Sequence, residues 1–127
     1  MPKKTNFLHL AAQEGSVQCV LPMLEIYVMT RRIDAEDDLG NTPLHYAVSK
    51  ERYEIAISLL RHGAGVLATN KVGKSPLDFA VQAPNGFPYF VAMAKRICWP
   101  PEIVQEYRIK ARDAGNREVL EYLEKKE

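Results

Sequence analysis

At 127 residues the chain has the size of one domain, and its 17 basic against 16 acidic side chains leave a formal charge of +1. That balance argues against a partner chosen mainly by charge, such as nucleic acid, whose binders carry a strongly basic domain or stripe. No stretch approaches the ~20 apolar residues needed to cross a bilayer, and the basic start Met1-Pro2-Lys3-Lys4-Thr5 is not followed by the apolar core of a secretion signal.

The first periodic stretch is Leu8-His9-Leu10-Ala11-Ala12-Gln13-Glu14-Gly15, a short helix ending at a glycine. A second helix should follow. Pro22 lies within it, and an interior proline removes a backbone bond and kinks a helix unless it sits in the first turn. The acidic run Asp34, Glu36, Asp37 and Asp38 then reads as a solvated hairpin. It lacks the central glycine and terminal glutamate of a calcium loop.

The phrase Gly40-Asn41-Thr42-Pro43-Leu44-His45-Tyr46-Ala47-Val48 comes next and returns 33 residues later as Gly73-Lys74-Ser75-Pro76-Leu77-Asp78-Phe79-Ala80-Val81. Thr42 and Ser75 suit a helix N-cap, and the proline after each suits the first turn, where its missing N–H has no partner anyway. Leu44, Ala47 and Val48 recur at helical spacing, and the small Ala47 lets a neighbouring helix approach closely.

A second helix is expected over Glu54–His62, stopped by Gly63-Ala64-Gly65, with a hairpin at Val66–Val72. After the second phrase the inter-helix turn is rebuilt as Ala83-Pro84-Asn85-Gly86-Phe87-Pro88, and an apolar helix runs from Tyr89 to Ala94. A last pair without the phrase, roughly Glu102–Ala114 and Asn116–Lys125, is joined at Gly115. Its Val119, Leu120, Tyr122 and Leu123 should face inward and Arg117, Glu118, Glu121, Glu124 and Lys125 outward, as a terminal cap requires.

A period near 33 with Thr42-Pro43-Leu44-His45-Tyr46-Ala47 resembles the ankyrin repeat, whose signature is Thr-Pro-Leu-His-x-Ala. The resemblance implies an all-α repeat solenoid of about four stacked helix-turn-helix units with short connecting β-hairpins. It forms one domain over 1–127, with units at about 4–36, 37–69 and 70–100 and a capping helix pair at about 101–127. The first unit carries three extra residues within Glu25–Ile33, because its phrase matches the second at an offset of 36.

Ankyrin proteins generally bind protein partners with hairpin tips and the exposed, concave side of the first helices. Carried over by position, this nominates Asp38, Leu39, Asn41, Tyr46, Ser49 and Lys50 in the second unit and Lys71, Val72, Lys74, Phe79, Gln82 and Ala83 in the third. Tyr46 and Phe79 are either aromatic anchors of an interface or packing between repeats. The hairpins differ in sign, acidic in the first and Lys71 and Lys74 in the second, a polarity that would orient a partner. Trp99, beside Pro100 and Pro101, is either an exposed docking point or a buried joint.

His9 and His45 hold the signature position, where the imidazole is usually tied into the local hydrogen-bond frame, and His62 ends a helix where a cation meets the dipole. Cys19 and Cys98 lie two units apart in second helices, which argues against a disulfide and for a reducing compartment. No zinc-site spacing, phosphate loop or nucleophile elbow is present.

The expected role is therefore a non-catalytic protein-binding module, cofactor-free, monomeric and cytoplasmic. It is either a regulatory adaptor or an effector delivered by a bacterium into a host cytosol. The glutamate-rich end from Arg117 to Glu127 faintly resembles export signals of such effectors, and an amphipathic cap helix explains it equally well. The alternatives are the substrate-recruiting part of a longer enzyme, or a lipid- or nucleic-acid-binding face built from Arg61, Lys71, Lys74, Lys95 and Arg96.

Overall fold

The structure, a computed structural model, describes residues 7–15, 33–83, 85–97 and 99–125 and the single positions 18, 22 and 29. Its elements are α1 (Phe7–Glu14), α2 (Pro43–Ser49), α3 (Tyr53–Arg61), α4 (Pro76–Gln82), α5 (Phe87–Ala94), α6 (Pro101–Ala114) and α7 (Arg117–Glu124). Pro22 stands on helical backbone, but the residues on either side of it, those of 25–32 other than Met29 among which the added residues fall, and Cys19 and Cys98 lie outside the described residues.

The phrase sets the helix starts. Thr42 and Ser75 sit in extended backbone as N-caps, each followed by proline in the first turn. Ser75 Oγ accepts from the Asp78 amide at 3.2 Å while the Asp78 carboxylate accepts from the Ser75 amide at 3.0 Å, closing a capping box that satisfies two orphan donors. At the far end of the chain Gly115 takes the left-handed conformation (φ 70°) that stops α6, and the Asn116 side chain caps α7 by accepting from Val119 N–H at 3.1 Å.

Packing arranges the helices in two rows. First helices stack as α1 on α2 on α4 on α6, second helices as α3 on α5 on α7, and each pair α2/α3, α4/α5 and α6/α7 packs internally. Each first helix buries an alanine, Ala11, Ala47, Ala80 and Ala111, that allows close approach. Leu44 and Leu77 are fully buried at equivalent positions, and each such side chain contributes about 2 kcal/mol of apolar transfer free energy.

Among the described residues there is no β-strand. The expected hairpins are tight turns, one closed by Asp37 N–H to Asn41 O at 3.0 Å and the other by Asn70 N–H to Lys74 O at 2.9 Å. Each turn adds only one further bond inside it, Gly40 N–H to Asp37 O and Gly73 N–H to Asn70 O, both at 3.0 Å, too short for a ladder. The turn between α4 and α5 has four residues where that between α2 and α3 has three, and α5 starts at Phe87, earlier than its sequence suggests, with Pro88 tolerated in the first turn. Gly86 makes the longer turn possible: a Cβ there would lie 1.9 Å from the Ala80 carbonyl oxygen.

The last pair has the burial pattern expected from its sequence. Val119 and Leu123 are buried, Leu120 and Tyr122 half-buried, and Arg117, Glu118, Glu121, Glu124 and Lys125 exposed.

Candidate functional site

Adjacent units are pinned together at equivalent atoms. His9 Nε2 lies 2.9 Å from Asn41 O, and His45 Nε2 lies 2.9 Å from Lys74 O. Because His45 Nδ1 accepts the Thr42 N–H at 2.9 Å, Nε2 carries the ring proton and donates it to the next unit. Burial disfavours the imidazolium and holds the His45 pKa below its ordinary value, against the opposing pull of the Lys74 carbonyl and the nearby Asp37 and Asp78.

Asp78 replaces histidine in the third unit and reverses the chemistry. Its buried carboxylate accepts from Lys110 Nζ of α6 at 2.8 Å, and Ser75 Oγ meets Tyr107 OH at 3.1 Å. Burial works to lower the Lys110 pKa, but the hydrogen bond and charge of Asp78 outweigh it and raise it. Burial also raises the Tyr107 hydroxyl. Nothing in the residue spacing announced this pair.

The acidic turn is not uniformly solvated. Asp37 is buried, contrary to the sequence expectation, because its Oδ1 accepts the Leu39 and Asn41 amides at 2.9 Å and its Oδ2 accepts the Tyr46 hydroxyl. Burial pushes its pKa up, yet these donors together hold it below the usual carboxylate value. Asn70, 33 residues on, repeats the turn by accepting Val72 and Lys74 amides at 3.1 and 3.0 Å. Its neutral amide needs no hydroxyl donor, and the matching aromatic is Phe79 instead of Tyr46. Asp34, Glu36 and Asp38 remain exposed.

The two turns are joined side by side. Lys71 N–H donates to Leu39 O at 3.0 Å and Asn70 Nδ2 to Asn41 Oδ1 at 2.9 Å. Gly40 (φ 79°) permits the contact, since a Cβ there would sit 2.9 Å from Lys71 N. The rigid platform so formed lifts Leu39 and Val72 into solvent, 64% and 76% exposed, at equivalent positions.

The nominated residues thus divide. Asp38, Leu39, Ser49, Lys50, Lys71, Val72 and Gln82 are exposed along the tips and the ends of α2 and α4. Asn41 and Lys74 are half-buried and serve the turn contacts. Tyr46 and Phe79 pack edge-on against His9 and His45, with ring centroids at 5.8 and 5.3 Å, so both fill the seam between repeats. Trp99 is the buried-joint alternative: it is half-buried, donates Nε1–H to Ala94 O at 3.0 Å, and packs against Phe90 and Tyr107. His62 Nδ1 bonds Ser58 O at 2.8 Å at the end of α3.

The five basic residues of the alternative face fall into two groups. Arg61, Lys95 and Arg96 line a groove between α3 and α5, whereas Lys71 and Lys74 belong to the turn platform. Among the described residues no group of three His, Cys, Asp or Glu side chains could hold a metal ion, and no helix is long and apolar enough to cross a membrane.

A family model of ankyrin repeats, in three copies, matches residues 2–70. Human transient receptor potential cation channel subfamily A member 1 is 38% identical over 81 residues, covering 64% of this chain and 7% of that protein. Human oxysterol-binding protein-related protein 1 is 44% identical over 83 residues, covering 61% and 8%. An ankyrin repeat protein of Rickettsia bellii is 36% identical over 81 residues, covering 61% and 48%. The chain therefore spans less than half of the length of each of these relatives. The match ends at residue 70, but the turn at 70–74 and α4 repeat the hydrogen bonding of 37–41 and α2, so the array continues past it. With the phrase, the stacked rows and the sequence match in agreement, the chain belongs to the ankyrin repeat family.

Proposed function

We propose that this chain is a non-catalytic binding module that takes a protein partner across its turn tips and the exposed ends of α2 and α4. Ankyrin repeats are in general protein–protein interaction modules. The observation that carries the reading is the apolar pair Leu39 and Val72, held out on two turns whose backbones are hydrogen-bonded to each other. Large side chains exposed on a preorganised frame lose little conformational freedom on binding, which concentrates affinity there. Asp38 and Lys71, of opposite sign at the same place in their turns, flank the pair and set register and association rate.

The test is affinity capture from a eukaryotic lysate with the wild-type chain, a Leu39→Asp/Val72→Asp variant, and an Ile109→Asp variant altered at an exposed position on α6. The expected result is one captured protein lost with the tip variant and kept with the α6 variant. Capture that survives the tip changes and fails with Ile109→Asp would contradict the assignment.

A further inference from the structure

The second helices carry a surface that the tips do not use. On α3, Tyr53, Ile57 and Arg61 fall one turn apart on a single stripe, and on α5 Phe87 and Val91 do the same, continued by Lys95 at its C-cap. The pairs are offset by 34 residues, because the turn rebuilt around Gly86 is one residue longer than its counterpart. The helices pack side by side, so the stripes enclose an open groove of about 560 Å³.

The groove has a direction. Aromatic rings stand at the N-terminal end of each stripe, branched aliphatic side chains in the middle, and cations at the C-terminal end, where Arg96 joins Arg61 and Lys95. Ile57, Phe87 and Val91 are half-buried, and the three cations are exposed. Among the described residues no carboxylate lines it.

We propose that this groove docks an acidic amphipathic segment of a partner protein, its apolar side chains over Ile57 and Val91 and its carboxylates at Arg61, Lys95 and Arg96. Charge complementarity selects the occupant: three clustered cations without a lining anion are matched by an acidic ligand, and an apolar floor between two helices is filled by the apolar face of a peptide. A nucleic acid would leave the apolar floor unused. A membrane would gain only about 1 kcal/mol from each of three basic residues, short of stable anchoring.

The test is panning of a random peptide display library against the full chain, with counter-selection on an Arg61→Glu/Lys95→Glu variant whose changes are both at exposed positions. Enriched peptides should pair apolar residues with Asp or Glu. A labelled enriched peptide should bind about tenfold more weakly to the charge-reversed variant and regain affinity when its acids are changed to lysine. It should shift the Ile57 and Val91 methyl resonances and bind the Leu39→Asp/Val72→Asp chain unchanged, which separates this groove from the tip surface. Enrichment of peptides without carboxylates, no enrichment at all, or binding of anionic vesicles or single-stranded RNA that the same peptide fails to displace would overturn the proposal.

Discussion

Lys110 Nζ lies 2.8 Å from Asp78 Oδ1, 32 residues away, and joins the terminal helix pair to the third unit at the place where the second unit uses His45. The Asp78 side chain is 2% exposed, so it depends on this partner. Glu106, 51% exposed, is a weaker second contact for the lysine at 3.3 Å.

Lys110→Met should therefore destabilise the chain by about 2 kcal/mol, since it leaves a buried carboxylate with the Ser75 amide and without its countercharge. Asp78→Asn/Lys110→Met should recover part of the loss. The raised lysine pKa means that the contribution is complete below 10.5 and is lost only as pH rises through the folded value. Denaturant midpoints at neutral pH check this, and a loss no larger than that of a surface pair, about 0.5 kcal/mol, would count against it.

His45→Gln should cost about 2 kcal/mol at neutral pH through the Thr42 and Lys74 bonds it weakens. The wild-type folded pKa lies below the unfolded 6.5, so the unfolded chain binds the extra proton; stability is complete above 6.5 and declines as pH falls toward the folded value. The gap between the two proteins should narrow on acidification. A gap that widens would refute the buried neutral imidazole.

Tyr46→Phe removes one of the donors to Asp37 without removing the ring, as Phe79 shows at the equivalent position. The expected cost is about 1 kcal/mol at neutral pH. Asp37 titrates below its ordinary 3.8, so its contribution is present above that value and lost as pH falls through the folded pKa, where the two proteins should converge. Equal stability at neutral pH would show that the hydroxyl is dispensable.

Glu51 is the one non-glycine with positive φ among the described residues, at 58°, in the position that Gly15 (φ 79°) holds one unit earlier. The left-handed conformation costs a side-chain-bearing residue about 1 kcal/mol. Glu51→Gly should thus raise the thermal midpoint, and a lowered midpoint would indicate that the exposed glutamate side chain matters more than the backbone.

The repeating phrase made α2, α4, their caps and the buried Leu44, Ala47, Leu77 and Ala80 legible before any coordinates, because each is a local or periodic requirement. Asp37 was not, since a run of acids reads as solvated until the Leu39 and Asn41 amides are seen to converge on it. The Asp78–Lys110 pair and the α3–α5 groove depend on which units stack and on one added residue at Gly86, neither of which a 33-residue period contains. The tip residues were nominated by position, and their exposure follows from the bond between Lys71 and Leu39.

The central claim is that the partner sits on the tips. A photo-crosslinking amino acid placed in turn at Leu39, Val72 and Ile109, all exposed, tests it in one experiment on the full chain. The account predicts a crosslink to the same protein from positions 39 and 72 and none from 109; a crosslink from 109 with neither tip reacting would contradict it.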